Sequence, residues 1–213
     1  MFSLLIFDLD GTLIDSREDI ALSVNLTLRD LGLPTLPVET IYGYVGNGVT
    51  RLIHDAVNSQ DPALLKEADQ IFERHYLAHL TDQTSLYPGI EAVLKHYRDK
   101  KKIVVTNKRA KFTRRIIENL GVSNQFELLI SPDEAGYRLK PDPDMILNAL
   151  TRLEQSAQET VLIGDMENDI LAARAAGVHV CAVGYGFGDA HRLREAKPDF
   201  FAEKVGDLTA FPF

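Results

Sequence analysis

Short apolar runs alternating with stretches of helical periodicity constrain this chain more than anything else in it. The runs are Leu4–Phe7, Ile103–Val105, Leu128–Ile130, Val161–Ile163 and Val178–Val183. Each is too short for a helix and too uniformly apolar for a strand wetted on one face, the pattern expected of parallel strands covered on both sides. Helices are expected near Ile90–Arg98, Ala110–Asn119, Pro143–Arg152 and Asp169–Ala176, with Gly121 and Gly177 at helix ends. Right-handed crossovers wind such helices around the sheet. The expected fold class is therefore α/β, a doubly wound, Rossmann-like parallel sheet.

Residues 15–81 break this rhythm. Their apolar positions (Ile20, Val24, Leu28, Leu31; Leu52, Ile53, Val57; Leu64, Leu65, Ile71, Phe72) recur at helical spacing with no strand among them, and Tyr87-Pro88-Gly89 reads as the return to the sheet. The expected domains are a core of residues 1–14 and 82–213 with a small helical domain, residues 15–81, inserted. A chain of 213 residues has material for both.

A net charge of -8 argues against nonspecific attraction to nucleic acid or anionic membranes. Cys181, the single cysteine, lies in an apolar run and is expected to be a core thiol without a disulfide. The first apolar run starts almost at Met1, leaving no room for a signal peptide, and no run is long enough to span a bilayer. The expected compartment is the cytoplasm.

Residues suited to phosphate chemistry follow the apolar runs. The first run ends in Asp8-Leu9-Asp10-Gly11-Thr12, the second in Thr106-Asn107, and the fourth in Gly164-Asp165, with Asp169 four residues on. Ligands of open parallel sheets sit outside the carboxyl ends of the strands, so these scattered residues are expected to converge. Asp8 can attack phosphorus. Asp10 is placed to protonate a departing oxygen and then deprotonate water, and Gly11 permits a tight turn whose N–H faces an anion. Asp8, Asp10, Asp165 and Asp169 gathered together repel unless a cation neutralises them, and oxygen donors without a Cys or His cluster favour Mg²⁺ over Zn²⁺. Thr106 and Asn107 can donate to phosphoryl oxygens, and the backbone restricted by Lys140-Pro141-Asp142-Pro143 can aim an ammonium at the same crevice.

In this order the segments Asp8-Leu9-Asp10-Gly11-Thr12, Thr106-Asn107, Lys140-Pro141-Asp142-Pro143 and Gly164-Asp165-Met166-Glu167-Asn168-Asp169 resemble the four motifs of the haloacid dehalogenase (HAD) superfamily of phosphatases. The position of the helical insertion is similar to that of members with a helical cap. Val45-Gly46-Asn47-Gly48 and Thr106-Asn107-Lys108 most resemble the phosphoglycolate phosphatases. The resemblance implies a Mg²⁺-dependent phosphomonoester hydrolase acting on a small metabolite, with 2-phosphoglycolate as the candidate. It implies that Asp8 forms an aspartyl phosphate and Asp10 shuttles the proton. It further implies that Asp8, the Asp10 backbone carbonyl, Asp165 and Asp169 serve Mg²⁺ while Thr106 and Lys140 bind phosphoryl oxygens. The alternatives are a phosphosugar mutase with similar motifs, and a noncatalytic phosphoacceptor resembling a receiver domain.

Two positions depart from the pattern. Met166 follows the last motif's first aspartate, where a small residue is common, and is expected to pack against the sheet; Arg109 stands where proline is frequent. The basic stretch Lys108, Arg109, Lys111, Arg114, Arg115 is expected to be a solvated helix face, Lys100-Lys101-Lys102 to sit favourably at a helix end, and His75 and His79 to be surface residues. Gly46-Asn47-Gly48 is either a capping turn or a loop that contacts the leaving group. Arg51 is either solvent-facing or a partner for a substrate carboxylate.

Overall fold

In the computed structural model, which describes residues 2–213, the chain runs β1 (Leu4–Phe7), β2 (Ile14–Asp15), α1 (Arg17–Asp30), α2 (Val38–Tyr42), α3 (Val49–Val57), α4 (Pro62–Ala78), β3 (Ser85–Leu86), α5 (Ile90–His96), β4 (Lys101–Val105), α6 (Ala110–Asn119), β5 (Leu128–Ile130), α7 (Asp144–Leu153), β6 (Thr160–Gly164), α8 (Glu167–Ala176), β7 (His179–Val183), α9 (Ala190–Glu195) and β8 (Phe200–Ala202). Residues up to Asp15 together with Leu86–Phe213 form one compact unit, and Ser16–Ser85 form another.

The first unit is built on a parallel sheet in the order β5-β4-β1-β6-β7-β8. The chain winds outward from β1 through β4 to β5, then returns to the other side of β1 with β6 and winds out to β8. The sheet is thus doubly wound, and its direction reverses at β1. Leu4, Ile6, Ile103, Val105, Leu162 and Val180 are buried together with Met145, Ile146, Ile170 and Ala173 from α7 and α8. This explains the near-continuous apolar runs, because both faces of the inner strands β4, β1, β6 and β7 are covered.

The two-residue strands β2 and β3 and, within the six-stranded sheet, β8 escape the sequence pattern. β8 is a half-buried edge strand of three residues following Lys197-Pro198-Asp199, and it carries no run long enough to register. β4 starts two residues before its expected bound because Lys101 and Lys102 belong to it. Lys102 is buried, yet its ammonium donates to the carbonyls of Tyr97 (2.8 Å) and Lys100 (3.2 Å). Tyr97 is the C-terminal cap of α5, so the expected helix-end role of the lysine run is met by a side chain reaching back from the strand.

The second unit is helical. Asp61 caps α4 by accepting from the Ala63 N–H, with Pro62 in the first turn, where its missing N–H costs nothing. Phe72 and Tyr76 of α4 are fully buried and stacked at 5.3 Å between ring centroids. Asp19 on α1 is completely buried and accepts from the backbone N–H of Gln83 (3.0 Å) and from both the N–H and hydroxyl of Thr84 (2.7 Å each). Gly48, at φ +82°, occupies the N-cap of α3, so the N-cap position itself carries no capping side chain.

Candidate active site

The sheet register brings the motif residues level. Phe7 lies beside Val104 on one side and Ile163 on the other, and the Asp8 N–H donates to the Ile163 carbonyl at 2.9 Å. Asp8, Thr106 and Asp165 therefore leave the carboxyl ends of β1, β4 and β6 at one edge, where the winding reverses. This is where an open α/β sheet leaves a crevice.

Lys140 is the hub. Its ammonium donates to Asp8 Oδ1 (2.8 Å), Asp169 Oδ1 (2.6 Å) and the Val105 carbonyl (2.9 Å), with 3% of the side chain exposed. All three N–H donors are thus engaged within the protein. The expected contact with a phosphoryl group requires one of them to change partner, and what the ammonium does here is hold two carboxylates. Asn107 departs from expectation more clearly. Its side-chain oxygen accepts from the Lys140 N–H at 2.8 Å and its amide donates to the Lys140 carbonyl at 3.0 Å, so it clamps the lysine backbone instead of reaching for an anion. Thr106 is buried, and its hydroxyl accepts from the Lys108 N–H at 3.2 Å.

Gly11 also differs from its expected role. Its N–H donates to the Ile14 carbonyl at 2.9 Å and closes the turn, so it is not offered to a ligand. Glycine is needed here for two other reasons: φ is +82°, and a Cβ would fall 2.1 Å from Asp165 Oδ2. Asp165 is fully buried, accepting from the Thr12 hydroxyl on Oδ1 (3.2 Å) and from the Phe187 N–H on Oδ2 (2.7 Å). Asp169 lies in the first turn of α8, and its Oδ2 accepts from the Met166 N–H at 3.0 Å. Met166 itself is half-buried.

Asp10 sits beside Lys108, whose ammonium lies 2.9 Å from one carboxylate oxygen and 3.1 Å from the other, the lysine side chain being 6% exposed. The expectation of a solvated basic face fails for Lys108 and holds for Lys111, Arg114 and Arg115, which are exposed; Arg114 pairs with Glu134. A cation directly after the end of β4 was the available signal, but spacing alone could not distinguish an inward from an outward side chain.

Asp8, Asp165 and Asp169 offer oxygen atoms that all lie within 4.8 Å of one another. Burial pushes the Asp8 carboxyl up to about 6; Lys140 opposes that rise, while Asp169 and Asp10 add to it. Burial and the charges of Asp8 and Asp169 likewise hold Asp165 well above the usual carboxylate range. Burial disfavours the Lys140 charge too, but Asp169 and Asp8 outweigh it and hold its ammonium above the ordinary lysine range. The ammonium therefore stays charged, and the strain falls on the acids. Three carboxylates against one buried ammonium leave two negative charges in excess. A divalent cation with a preference for hard oxygen donors fits both that charge and that donor set.

The remaining candidates, Gly46, Asn47, Gly48 and Arg51, belong to the helical unit. Arg51 is exposed and paired with Asp55 at 2.7 Å. His75 and His79 share no ligand; they pair separately with Asp30 (2.8 Å) and Asp82 (2.7 Å). Cys181 is fully buried as expected, and burial pushes its thiol up. Among the described residues no helix is long and apolar enough to cross a membrane.

Residues 5–183 match the family described as haloacid dehalogenase-like hydrolase. The chain is 37% identical over 213 residues to a phosphoglycolate phosphatase of Colwellia psychrerythraea, covering 96% of this chain and 94% of that one. It is 32% identical over 206 residues to a phosphoglycolate phosphatase of Aquifex aeolicus, covering 96% and 93%. A crystal structure of a predicted phosphoglycolate phosphatase from Haemophilus somnus superposes with a TM-score of 0.92 at 28% identity, covering 98% of this chain and 97% of that one.

Proposed function

Because this chain belongs to the haloacid dehalogenase-like hydrolase family and is a phosphatase, we propose that it hydrolyses a small phosphate monoester, 2-phosphoglycolate, through an aspartyl phosphate on Asp8 and with Mg²⁺ as cofactor. One observation carries the mechanism: Lys140 joins Asp8 to Asp169, with Asp165 alongside, at the edge where the winding of the sheet reverses. The relatives named phosphoglycolate phosphatase support the choice of substrate.

Asp8, turned by Lys140, attacks phosphorus with one carboxylate oxygen, and the bond between phosphorus and the ester oxygen breaks. Asp10 delivers a proton to the departing alkoxide. Water then adds to phosphorus, Asp10 takes its proton, and the bond from phosphorus to the Asp8 oxygen breaks, releasing inorganic phosphate and restoring both aspartates. Lys108, bonded to both Asp10 oxygens, fixes the direction in which that carboxylate presents itself. Asp8, Asp165 and Asp169 are the side chains that would hold Mg²⁺, with the Asp10 backbone carbonyl. Bound there, Mg²⁺ supplies positive charge against the phosphoryl oxygens as negative charge builds on them. Thr106 is assigned to the phosphoryl oxygens, and Asn107 to orienting Lys140. The helical unit, Ser16–Ser85, is assigned the role of a cap, with Gly46, Asn47, Gly48 and Arg51 as its candidate specificity residues.

The test is turnover of 2-phosphoglycolate and a panel of sugar phosphates, with and without Mg²⁺, followed by release of inorganic phosphate. Fastest release from 2-phosphoglycolate, dependent on Mg²⁺ and lost in Asp8→Asn, is the expected result. Transfer of phosphate between sugar positions without net release identifies a mutase. One turnover per protein identifies a phosphoacceptor.

A further inference from the structure

A segment outside all four motifs touches the most deeply buried acid of the site. The loop Gly184-Tyr185-Gly186-Phe187-Gly188 follows β7 and closes over Asp165. A Cβ on Gly186 would lie 2.3 Å from the Asp165 Cβ and 2.3 Å from the Gly11 carbonyl, and one on Gly188 would lie 2.0 Å from the Asp165 carbonyl. Alternate glycines after a strand are the sequence trace of such a backbone approach.

The loop reaches both oxygens of Asp165. Directly, the Phe187 N–H donates to Oδ2 at 2.7 Å. Indirectly, the Tyr185 hydroxyl donates to the Thr12 carbonyl at 3.0 Å, and the Thr12 hydroxyl donates to Oδ1 at 3.2 Å. The Tyr185 ring is held by Tyr87, whose ring meets it edge-on at 5.1 Å between centroids. Burial keeps the phenol protonated and therefore a donor throughout the working range.

We infer that Tyr185 is a positioning residue: through Thr12 on one side and Phe187 of its own loop on the other, it fixes the rotation of the Asp165 carboxylate, and so sets affinity for the divalent cation. The inference rests on the proposed cation site and adds to it a support that no motif contains. Groups behind a ligand commonly change metal affinity by about 10- to 100-fold when removed.

Mn²⁺ binding to the substrate-free protein, followed by electron paramagnetic resonance or calorimetry, is the test. Tyr185→Phe keeps the ring on Tyr87 and removes only the hydroxyl; Thr12→Val removes the second link at nearly constant volume. Each is expected to weaken Mn²⁺ binding about tenfold while the cation-free protein melts within a few degrees of wild type. Asp165→Asn is the reference and is expected to lose binding altogether. If Asp165→Asn binds Mn²⁺ like wild type, the cation site itself is wrong and the inference falls with it. If Asp165→Asn loses binding but Tyr185→Phe and Thr12→Val retain wild-type affinity, the cation site stands and the positioning role is overturned. A lowered melting temperature with unchanged affinity gives Tyr185 a purely structural role and equally overturns it.

Discussion

Lys140 shows how much one side chain is made to carry. It is a buried cation with three donors and three acceptors in place, and the Asn107 clamp on its backbone removes the freedom to swing away. Replacing it by methionine keeps the volume and strands Asp8, Asp169 and the Val105 carbonyl. Removing one partner of a buried ion pair costs about 3–5 kcal/mol, so Lys140→Met should lower unfolding stability by about that amount in the presence of a chelator, measured by urea denaturation, and abolish turnover. A loss below about 1 kcal/mol would mean that the carboxylates relieve their repulsion by protonation instead. Asp165 and Asp169 could be picked out because one follows a strand and the other opens a helix, and Lys140 because it stands before Pro141-Asp142-Pro143, between Thr106 and Asp165 in the order of the motifs. Which atoms they bond was not legible. The Asn107 amide and the Gly11 N–H both have the chemistry to hold an anion, and only the fold shows them engaged on backbone groups. The inward direction of Lys108 was hidden for the same reason, since a lysine opening a run of basic residues that are mostly exposed carries no mark of where it points.

At the scale of elements, the strands that sit between two layers could be read directly, because burial on both faces writes itself as an uninterrupted apolar run. β8, at the edge and half-wet, could not. The helical unit was visible as a change of period, but the way it holds its own end was hidden. Asp19 on α1 binds the chain at Gln83 and Thr84, just before β3, so the first helix and the exit segment of the unit are tied by one buried carboxylate. Asp19 lies more than sixty residues from its partners in sequence, and no spacing rule connects them. Asp19→Ala leaves two backbone N–H groups and a hydroxyl without their acceptor. At about 1–3 kcal/mol per buried unsatisfied group, and with water able to reach some of the vacated space, a loss of about 3 kcal/mol is expected in urea unfolding. Faster hydrogen exchange at the Gln83 and Thr84 amides should accompany it. Unchanged protection at those two amides would contradict the role given to Asp19.

For the molecule as a whole, the same cluster that does the chemistry is a burden on the fold until a cation arrives. Burial and neighbouring charge raise Asp8 to about 6 from an ordinary 3.8, and Asp165 moves in the same direction. A carboxyl whose folded value is raised contributes stability in full below its unfolded value and loses it as pH climbs through the folded one. Without a cation, the protein should therefore lose stability as pH rises from about 4 through about 6. Surface acids act oppositely: hydrogen bonding to Arg138 lowers Asp144 to about 2, so its contribution is complete above the unfolded value near 4 and disappears as pH falls towards 2. Together the two trends place maximal stability of the chelated protein near pH 4, where the acid loss at the surface is over and the strain at the site has yet to build. Mg²⁺ binds the ionised carboxylates of the folded state and should stabilise the protein more at pH 7.5 than at pH 5, following the mass-action law for a ligand that prefers the native state. Scanning calorimetry at both pH values, with chelator and with saturating Mg²⁺, measures all four corners. The chelated protein should melt higher at pH 5, and Mg²⁺ should narrow or reverse that order. Asp8→Asn, which removes one buried charge, should melt higher than wild type in chelator at pH 7.5 while gaining less from Mg²⁺. If wild type instead melts at the same temperature at both pH values, with Mg²⁺ shifting each equally, then the buried acids are not the groups that couple cation binding to folding.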